Sequence, residues 1–322
     1  MYERRAANVR KSALLIVTFA AFIMAVGWAF GAFTGYGYAG LVLAAVLALL
    51  MTWGSYFASD RIALGMSRAT AADPIRHQQL HNLVEGMSLA AGLPKPGVYV
   101  VEDPAPNAFA TGRDPKHAAV AVTTGLLQKL KRDELEGVVA HELAHIKNRD
   151  TLVMTLAVTL VGIAVLLSDF LLRAMWWGGV SGGGRKRDRD AAARPVMILR
   201  IVLLVLAPLI AQLLQFAISR RREFLADADA VLLTRYPDGL IHALEKLKTD
   251  QTVVRTASRA TAHLWIESPI PRAAGDVHHA ASGSTAWLNR LFDTHPPLDD
   301  RIAAMRTSAL SGSGAPAPRP PA

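Results

Sequence analysis

The sequence lacks two things that an ordinary soluble enzyme of its size contains. It has no cysteine in 322 residues, and only 19% of its residues are charged, whereas 52% are hydrophobic. The absence of cysteine excludes disulfide bonds, thiolate catalysis and cysteine-ligated metals, and it fits a reducing compartment. A soluble domain has about one quarter charged residues. The low charge and the positive mean hydropathy therefore favour one medium-sized domain combined with membrane segments.

The charge that is present is unbalanced, with a formal net charge of +9. Such an excess suits either nucleic acid or an anionic membrane surface as the partner. Many basic residues flank apolar runs, among them Arg4, Arg5, Arg10 and Lys11 near the N-terminus and residues 220–222. No DNA- or RNA-binding motif accompanies them. The pattern therefore predicts a lipid bilayer as partner and no nucleic acid.

Four apolar runs predict four transmembrane helices. Each approaches the ~20 apolar residues that are needed to cross the hydrocarbon core of a bilayer. For the last two runs, a buried helical hairpin of a soluble core is the alternative interpretation. The runs are residues 13–33, 40–57, 152–177 and 196–218.

The distribution of Lys and Arg beside these runs predicts the orientation of the chain. Basic residues flank the first run on its N-terminal side, follow the second run and follow the fourth, whereas the turn after the first run has none. We therefore expect an inner-membrane, multi-pass protein with residues 58–150 and 219–322 on the cytoplasmic side. The basic loop at 178–195 does not fit this orientation. The predicted topology places the loop on the outer side of the membrane, whereas Lys and Arg are enriched in cytoplasmic loops.

The segments between the runs predict a small β element within a mainly α protein. Residues 97–101 and 118–123 are rich in valine and bounded by Pro, Gly and Asp, which is typical of short strands. A helix is expected to begin at Asp133 and to continue without a stop signal to about residue 176, into the third apolar run.

The motif His141-Glu142-Leu143-Ala144-His145 is an HExxH pattern. Positions four apart share one face of a helix, so both imidazoles can reach one metal ion, with Glu142 placed to act as a base on a bound water. Two ordinary surface histidines are the alternative interpretation.

A catalytic zinc ion needs a third protein ligand, and without cysteine this must be His, Asp or Glu. The HExxH motif lies just before the third apolar run, and Glu223 lies just after the fourth. If these two runs form a helical hairpin, the HExxH motif and Glu223 lie at the same end of it and are neighbours. Asp227 lies one turn after Glu223 and could accept the free N–H of a ligand histidine. Alternatively, Glu223 only pairs with the arginines that precede it.

The segments 141–150 (HELAHIKNRD) and 219–227 (SRRREFLAD), each beside an apolar run, resemble the HtpX-type membrane zinc metalloproteases, which are related to the CAAX prenyl-protein proteases. The resemblance covers nearly the whole chain, including a closing Thr-His-Pro-Pro at 294–297. It implies a gluzincin-like zinc metalloprotease domain, one Zn²⁺ ion with Glu223 as third ligand, and cleavage of membrane proteins or peptides. The basic 178–195 loop departs from the family pattern.

Two further site assignments follow from this resemblance. Asn107, Ala108, Phe109 and Ala110 are similar to the family's edge strand, which would hold an extended substrate by backbone pairing; a plain turn is the alternative. His295 is similar to a family histidine that could donate to the oxyanion of the transition state. Its alternative role is that of a histidine at the start of a helix, before Pro296.

The resulting interpretation is a membrane-integrated zinc endopeptidase that degrades misfolded or damaged membrane proteins in a stress response. A CAAX-type prenyl-protein protease and a catalytically silent membrane scaffold stabilised by zinc are the alternatives. Oligomeric state is left open. We divide the chain into two N-terminal helices (1–57), a protease part with HExxH (58–150), a membrane hairpin (151–218), a protease part with the third ligand (219–307) and a tail (308–322).

Overall fold

We describe the protein from a computed structural model, which defines residues 2–34, 38–156, 220–255, 264–267 and 296–311. Most of the third apolar run, all of the fourth, the basic 178–195 loop, His295 and the end of the tail lie outside the described residues. The fold is mainly helical, with one small sheet.

Two long helices form the N-terminal part and contain the first two apolar runs. Helix α1 spans Tyr2–Thr34 and α2 spans Tyr38–Met66. Near the end of α2, Ala63 and Leu64 are buried in a cluster that also contains sheet residues. No helix among the described residues combines the length and the apolar character that crossing a membrane requires. The surfaces of α1 and α2 include exposed large apolar side chains, such as Val17, Trp28, Val42, Leu49, Leu50 and Trp53.

The sheet has four strands in the order β1-β2-β4-β3. Strands β2 and β4 pair in parallel, and the other two pairings are antiparallel. The predicted strands at 97–101 and 118–123 are confirmed with these bounds, because valine-rich segments between Pro, Gly and Asp favour short strands that end at those residues. The strands are β1 (Thr70–Ala71), β2 (Gly97–Val101), β3 (Ala108–Gly112) and β4 (Ala118–Thr123).

The described part of the chain contains six further named helices. Their buried apolar side chains join the sheet in one core, which contains residues of α3, α5, α7 and α8. Helices α5 and α7 approach closely, since a Cβ built on Gly137 would lie 2.6 Å from the backbone nitrogen of Leu240. The helices are α3 (Gln78–Ala91), α4 (Thr124–Lys129), α5 (Arg132–Asn148), α6 (Arg220–Thr234), α7 (Pro237–Thr249) and α8 (Leu298–Ser311).

Helix α5 carries the HExxH motif and differs from the prediction at its C-terminal end. Glu134 accepts a hydrogen bond from the backbone N–H of Lys131 at 2.6 Å, which fixes the first turn. The predicted unbroken helix from 134 to 176 is wrong. Arg149 has a φ of 58°, which is left-handed, so α5 ends at Asn148, and residues 150–156 form a new helical segment. No glycine or proline marks this break in the sequence.

Candidate metal centre

Helix α5 places the three HExxH side chains in the interior of the protein. The exposed fractions of His141, Glu142 and His145 are 1%, 2% and 4%. The two imidazoles share one face, as their spacing requires, and their Nε2 atoms lie 3.2 Å apart. Surface histidines would be exposed, so that alternative interpretation of the motif is wrong.

Helix α6 packs against α5 and brings Glu223 to the same point. The Glu223 carboxylate lies 3.5 Å from Nε2 of His141 and 3.6 Å from Nε2 of His145. One ligand atom from each of these residues lies within 4.8 Å of the others. The helices are further linked by Asn148, whose side-chain amide donates to Asp229 at 2.8 Å. The structure thus brings together the two halves of the predicted ligand set.

Two buried carboxylates orient the imidazoles from behind. Oδ1 of Asp227 lies 2.9 Å from Nδ1 of His141, and Oδ2 of Asp150 lies 3.2 Å from Nδ1 of His145. Because each Nδ1 is engaged by a carboxylate, each Nε2 is directed to the shared point beside Glu223. Carboxylates that hold the second nitrogen of a ligand histidine are typical of metal sites in proteins.

Arg301 of α8 is fully buried and lies behind the site, against Asp227. Its Nη2 and Nε donate to the two carboxylate oxygens of Asp227 at 2.6 and 2.9 Å, and its Nη1 donates to the carbonyl of Ile266 at 3.2 Å. Nη1 also lies 3.6 Å from Glu223. Burial lowers the pKa of Arg301, but the adjacent Asp227 carboxylate outweighs it, and the net pKa is raised.

The charges of the metal-free cluster shift the pKa values of its members. Burial alone would raise the pKa of Asp227, but the Arg301 cation lowers it to about 2, so Asp227 is ionised. Burial and Arg301 lower the pKa of His141, whereas its hydrogen bonds to Asp227 and Glu223 raise it, and the net pKa is about 9. Burial raises the pKa of Glu142, although both histidines oppose this. A raised pKa suits a carboxylate that must take up and release a proton.

The segment that was predicted to bind substrate is a strand, so the turn interpretation is wrong. Ala108, Phe109 and Ala110 lie in β3 at the edge of the sheet, and Asn107 immediately precedes it. All four are buried.

This edge is already paired with another segment of the chain. The N–H of Ile266 donates to the carbonyl of Ala108 at 2.9 Å, and the side-chain amide of Asn107 donates to the carbonyl of Glu267 at 2.9 Å. Trp265 is fully buried against Phe109, with ring centroids 4.8 Å apart. Substrate pairing at this edge stays a prediction, and a substrate that paired with Ala108 would have to displace residues 264–267.

Three residues of the site were missed by sequence reasoning. Asp150 stands in the quoted motif, but five residues after His145 it would not share a face on an unbroken helix. Arg301 follows the Thr-His-Pro-Pro segment, and nothing in its local pattern points to the site. Asn8, which contacts Asp150, gave no signal at all. His295 lies outside the described residues, so its role as an oxyanion donor stays a prediction.

The residues present fit a divalent metal ion of the zinc type. Two imidazole nitrogens and one carboxylate oxygen are the donor set of many catalytic zinc sites, which keep one further position for water or substrate. The geometry supports a metal because the three side chains are buried and converge on one point, and burying such groups costs free energy that a bound cation offsets. A buried glutamate adjacent to the ligands completes the set that peptide hydrolysis requires.

Comparisons with known proteins agree with this geometry. The sequence matches peptidase family M48 over residues 74–309. It is 46% identical over 311 residues to the protease HtpX homolog of Thermoanaerobacter pseudethanolicus, a match that covers 96% of this chain and 98% of that protein. It is also 41% identical over 309 residues to the protease HtpX homolog of Listeria monocytogenes, a match that covers 94% of this chain and 98% of that protein.

One solved structure resembles the fold more distantly. It is the crystal structure of S. mikatae Ste24p, with a TM-score of 0.46, 16% sequence identity, and coverage of 95% of this chain and 67% of that one.

The buried HExxH helix and the glutamate helix beside it define the class: the protein is a metallopeptidase. Within that class, the chain belongs to peptidase family M48, because the match covers most of its length and the full-length relatives are protease HtpX homologs. This membership decides against the alternative of a catalytically silent scaffold.

Proposed function

We propose that the protein is a membrane-integrated zinc endopeptidase in which His141, His145 and Glu223 hold one zinc ion and Glu142 is the catalytic base. The observation that carries the proposal is the convergence of three ligand atoms within 4.8 Å. Their orientation by Asp227 and Asp150 supports it. The position of Glu142 beside the ligands supports it further, because a purely structural metal site would not need that acid.

The chemistry follows from the positions of the side chains. When bound, zinc supplies a Lewis acid that polarises the scissile carbonyl and lowers the pKa of a water molecule. Glu142 accepts a proton from the attacking water and passes it to the amine that leaves. Asp227 and Asp150 hold His141 and His145 in the tautomer that exposes Nε2. His295, by family resemblance, donates to the developing oxyanion.

Exposed apolar side chains support integration into a membrane. The exposed fractions of Val17, Leu49 and Trp53 are 64%, 65% and 64%. Leu49 and Trp53 are four residues apart on α2 and so share one face of the helix, and a contiguous exposed apolar face marks a membrane or protein contact. We propose that the apolar runs at 13–33 and 40–57, within α1 and α2, lie in the bilayer together with the apolar runs at 152–177 and 196–218, with the metal site on the cytoplasmic side. Peptide segments of misfolded or damaged membrane proteins are the proposed substrates, as part of a stress response.

The test replaces Glu142 with Gln in the full chain, purified in detergent. Zinc content and cleavage of casein are measured, with Glu136→Gln as control, since Glu136 lies on the same helix and is only half-buried. The proposal predicts that Glu142→Gln retains zinc and loses cleavage by about 100-fold or more, whereas Glu136→Gln retains both. Unchanged cleavage by Glu142→Gln excludes the assigned base.

The same preparation separates the proposal from the prenyl-protein alternative. A short peptide is offered with and without a farnesylated C-terminal cysteine. Similar cleavage of both peptides, together with cleavage of casein, supports the endopeptidase. Cleavage confined to the farnesylated peptide supports the CAAX-type alternative.

A further inference from the structure

The helix that carries the metal ligands ends in a turn that returns the chain to the metal site. Helix α5 ends at Asn148, and Arg149 adopts a left-handed conformation before helix resumes at residue 150. On an unbroken helix, a residue five positions after His145 would lie roughly 140° around the axis from it. With the break, Oδ2 of Asp150 comes within 3.2 Å of Nδ1 of His145.

A side chain from the N-terminal helix spans this break. The amide nitrogen Nδ2 of Asn8 donates to the carbonyl of Asn148 at 3.0 Å and to Oδ1 of Asp150 at 2.7 Å. An asparagine amide has two N–H donors, so both are used, one on each side of Arg149. Asn8 is 6% exposed and Asp150 is 3% exposed, so neither bond is replaced readily by water.

The contacts form one chain from α1 to the metal site: Asn8 holds Asp150, and Asp150 holds His145. The two oxygens of Asp150 have different partners, since Oδ1 accepts from Asn8 and Oδ2 faces His145. The carboxylate therefore has little freedom to rotate while Asn8 is in place. Nη1 of Arg222 lies 4.0 Å from Oδ1 of Asp150, farther than the Asn8 amide.

We propose that Asn8 is a positioning residue of the metal site, which fixes His145 as a ligand through Asp150. The N-terminal helix thereby becomes part of the metalloprotease centre, in addition to any role in the membrane. This inference rests on the proposed function to the extent that His145 must be a metal ligand. It concerns metal affinity, which is measured without substrate.

The experiment measures the affinity of the full-length protein for Zn²⁺ in detergent, by competition with a chelating dye. The variants are Asn8→Ala, Asp150→Ala and the double variant, with Ser12→Ala as matched control. Ser12 is a buried residue one turn further along α1, 3% exposed, and its hydroxyl makes no hydrogen bond within the described residues.

The expected pattern of zinc affinities is specific to a mechanism in which Asn8 acts on His145 through Asp150. Asp150→Ala weakens zinc binding by about 10- to 100-fold, as is typical for residues that orient a ligand. Asn8→Ala weakens it by about threefold to tenfold, the fold-change that corresponds to the net contribution of one typical hydrogen bond. Ser12→Ala binds as the wild type does. Because Asn8 acts through Asp150, the double variant is no weaker than Asp150→Ala alone.

Several results would overturn the inference. If Asn8→Ala binds zinc as tightly as the wild type, or if the losses of the two single variants multiply in the double variant, Asn8 does not act through Asp150. In either case, the proposed function is not contradicted as long as the wild type binds zinc. A wild-type chain that binds no zinc overturns both.

A second pair of variants covers the case in which Asn8→Ala does not fold. Asn8→Asp keeps the shape of the side chain but places a carboxylate against Asp150, so zinc binding weakens. Adding Asp150→Asn lets an amide and a carboxylate face each other again, while the amide oxygen introduced at position 150 can still accept from His145. The carbonyl of Asn148 faces the carboxylate introduced at position 8 in both proteins, so the cost of that contact cancels when Asn8→Asp is measured with and without Asp150→Asn. The loss of zinc affinity caused by Asn8→Asp is expected to be smaller in the presence of Asp150→Asn, and an equal loss contradicts the proposal that Asn8 acts through Asp150.

Discussion

Arg301 and Asp227 form a bidentate ion pair behind the metal site, with donor–acceptor distances of 2.6 and 2.9 Å. Arg301 is 0% exposed and Asp227 is 2% exposed, and the two residues come from helices α8 and α6. Because Asp227 also holds His141 at 2.9 Å, the pair connects the C-terminal helix to a proposed ligand. Stability and metal binding therefore depend on the same contact.

The first prediction concerns the removal of Arg301. In Arg301→Ala, the buried Asp227 carboxylate loses its bidentate cation and keeps only its contact with His141, so the free energy of unfolding should fall by about 3–5 kcal/mol. Chemical denaturation of the metal-free protein measures this. Arg306→Ala, on the same helix, breaks only an exposed pair with Glu245 and should cost at most about 1 kcal/mol. Equal losses for the two variants would contradict the assigned importance of the buried pair.

The second prediction is a pH dependence of zinc binding. In the metal-free protein the pKa of His141 is raised to about 9, so His141 carries a proton at neutral pH. Zinc must displace that proton, so the apparent affinity should rise by up to about tenfold per pH unit as pH increases toward 9 and then level off. Chelator competition at a series of pH values measures this rise.

Asp227→Asn provides the control for the sign of this effect. The substitution removes the negative charge that helps to raise the pKa of His141. The plateau of zinc affinity should therefore begin at a lower pH than in the wild type. A plateau at the same pH in both proteins would show that Asp227 does not set the protonation of His141.

The third prediction concerns the segment paired with the edge strand. Asn107→Ala removes the side-chain bond to Glu267 and the support that Oδ1 gives to the N–H of Ala108 at 3.0 Å. Since these groups are buried, the loss should reduce the free energy of unfolding by about 1–3 kcal/mol. Asn82 is exposed, so Asn82→Ala should stay within about 0.5 kcal/mol of the wild type. Indistinguishable denaturation midpoints would mean that residues 264–267 are not held by Asn107.

Local sequence patterns were sufficient for strands β2 and β4 and for the histidine spacing. The valine-rich segments of β2 and β4 predict their bounds directly, and the four-residue spacing of His141 and His145 predicts a shared helix face. Glu223 could be proposed because an expected helical hairpin brings it near. Each of these inferences uses contacts between residues close in sequence or related by one simple topology.

The rest of the fold and of the metal site depends on tertiary contacts that no local sequence pattern encodes. Arg149 adopts a left-handed conformation without being glycine or asparagine, and so the sequence predicts an unbroken helix where the structure has a turn. Arg301 reaches Asp227 from a helix 74 residues away along the chain. Asn8 and Asp150 are separated by 142 residues. Such pairs become visible only when the helices are packed together.

The most direct test of the account is the zinc content and zinc affinity of Glu223→Ala, compared with the wild type and with Glu245→Ala, a partly exposed glutamate of α7. If His141, His145 and Glu223 hold one ion, the wild type and Glu245→Ala bind one zinc per chain. Glu223→Ala should then bind zinc more weakly by at least the roughly 10- to 100-fold that loss of a supporting residue causes. Zinc binding by Glu223→Ala with wild-type stoichiometry and affinity would contradict the proposed metal centre.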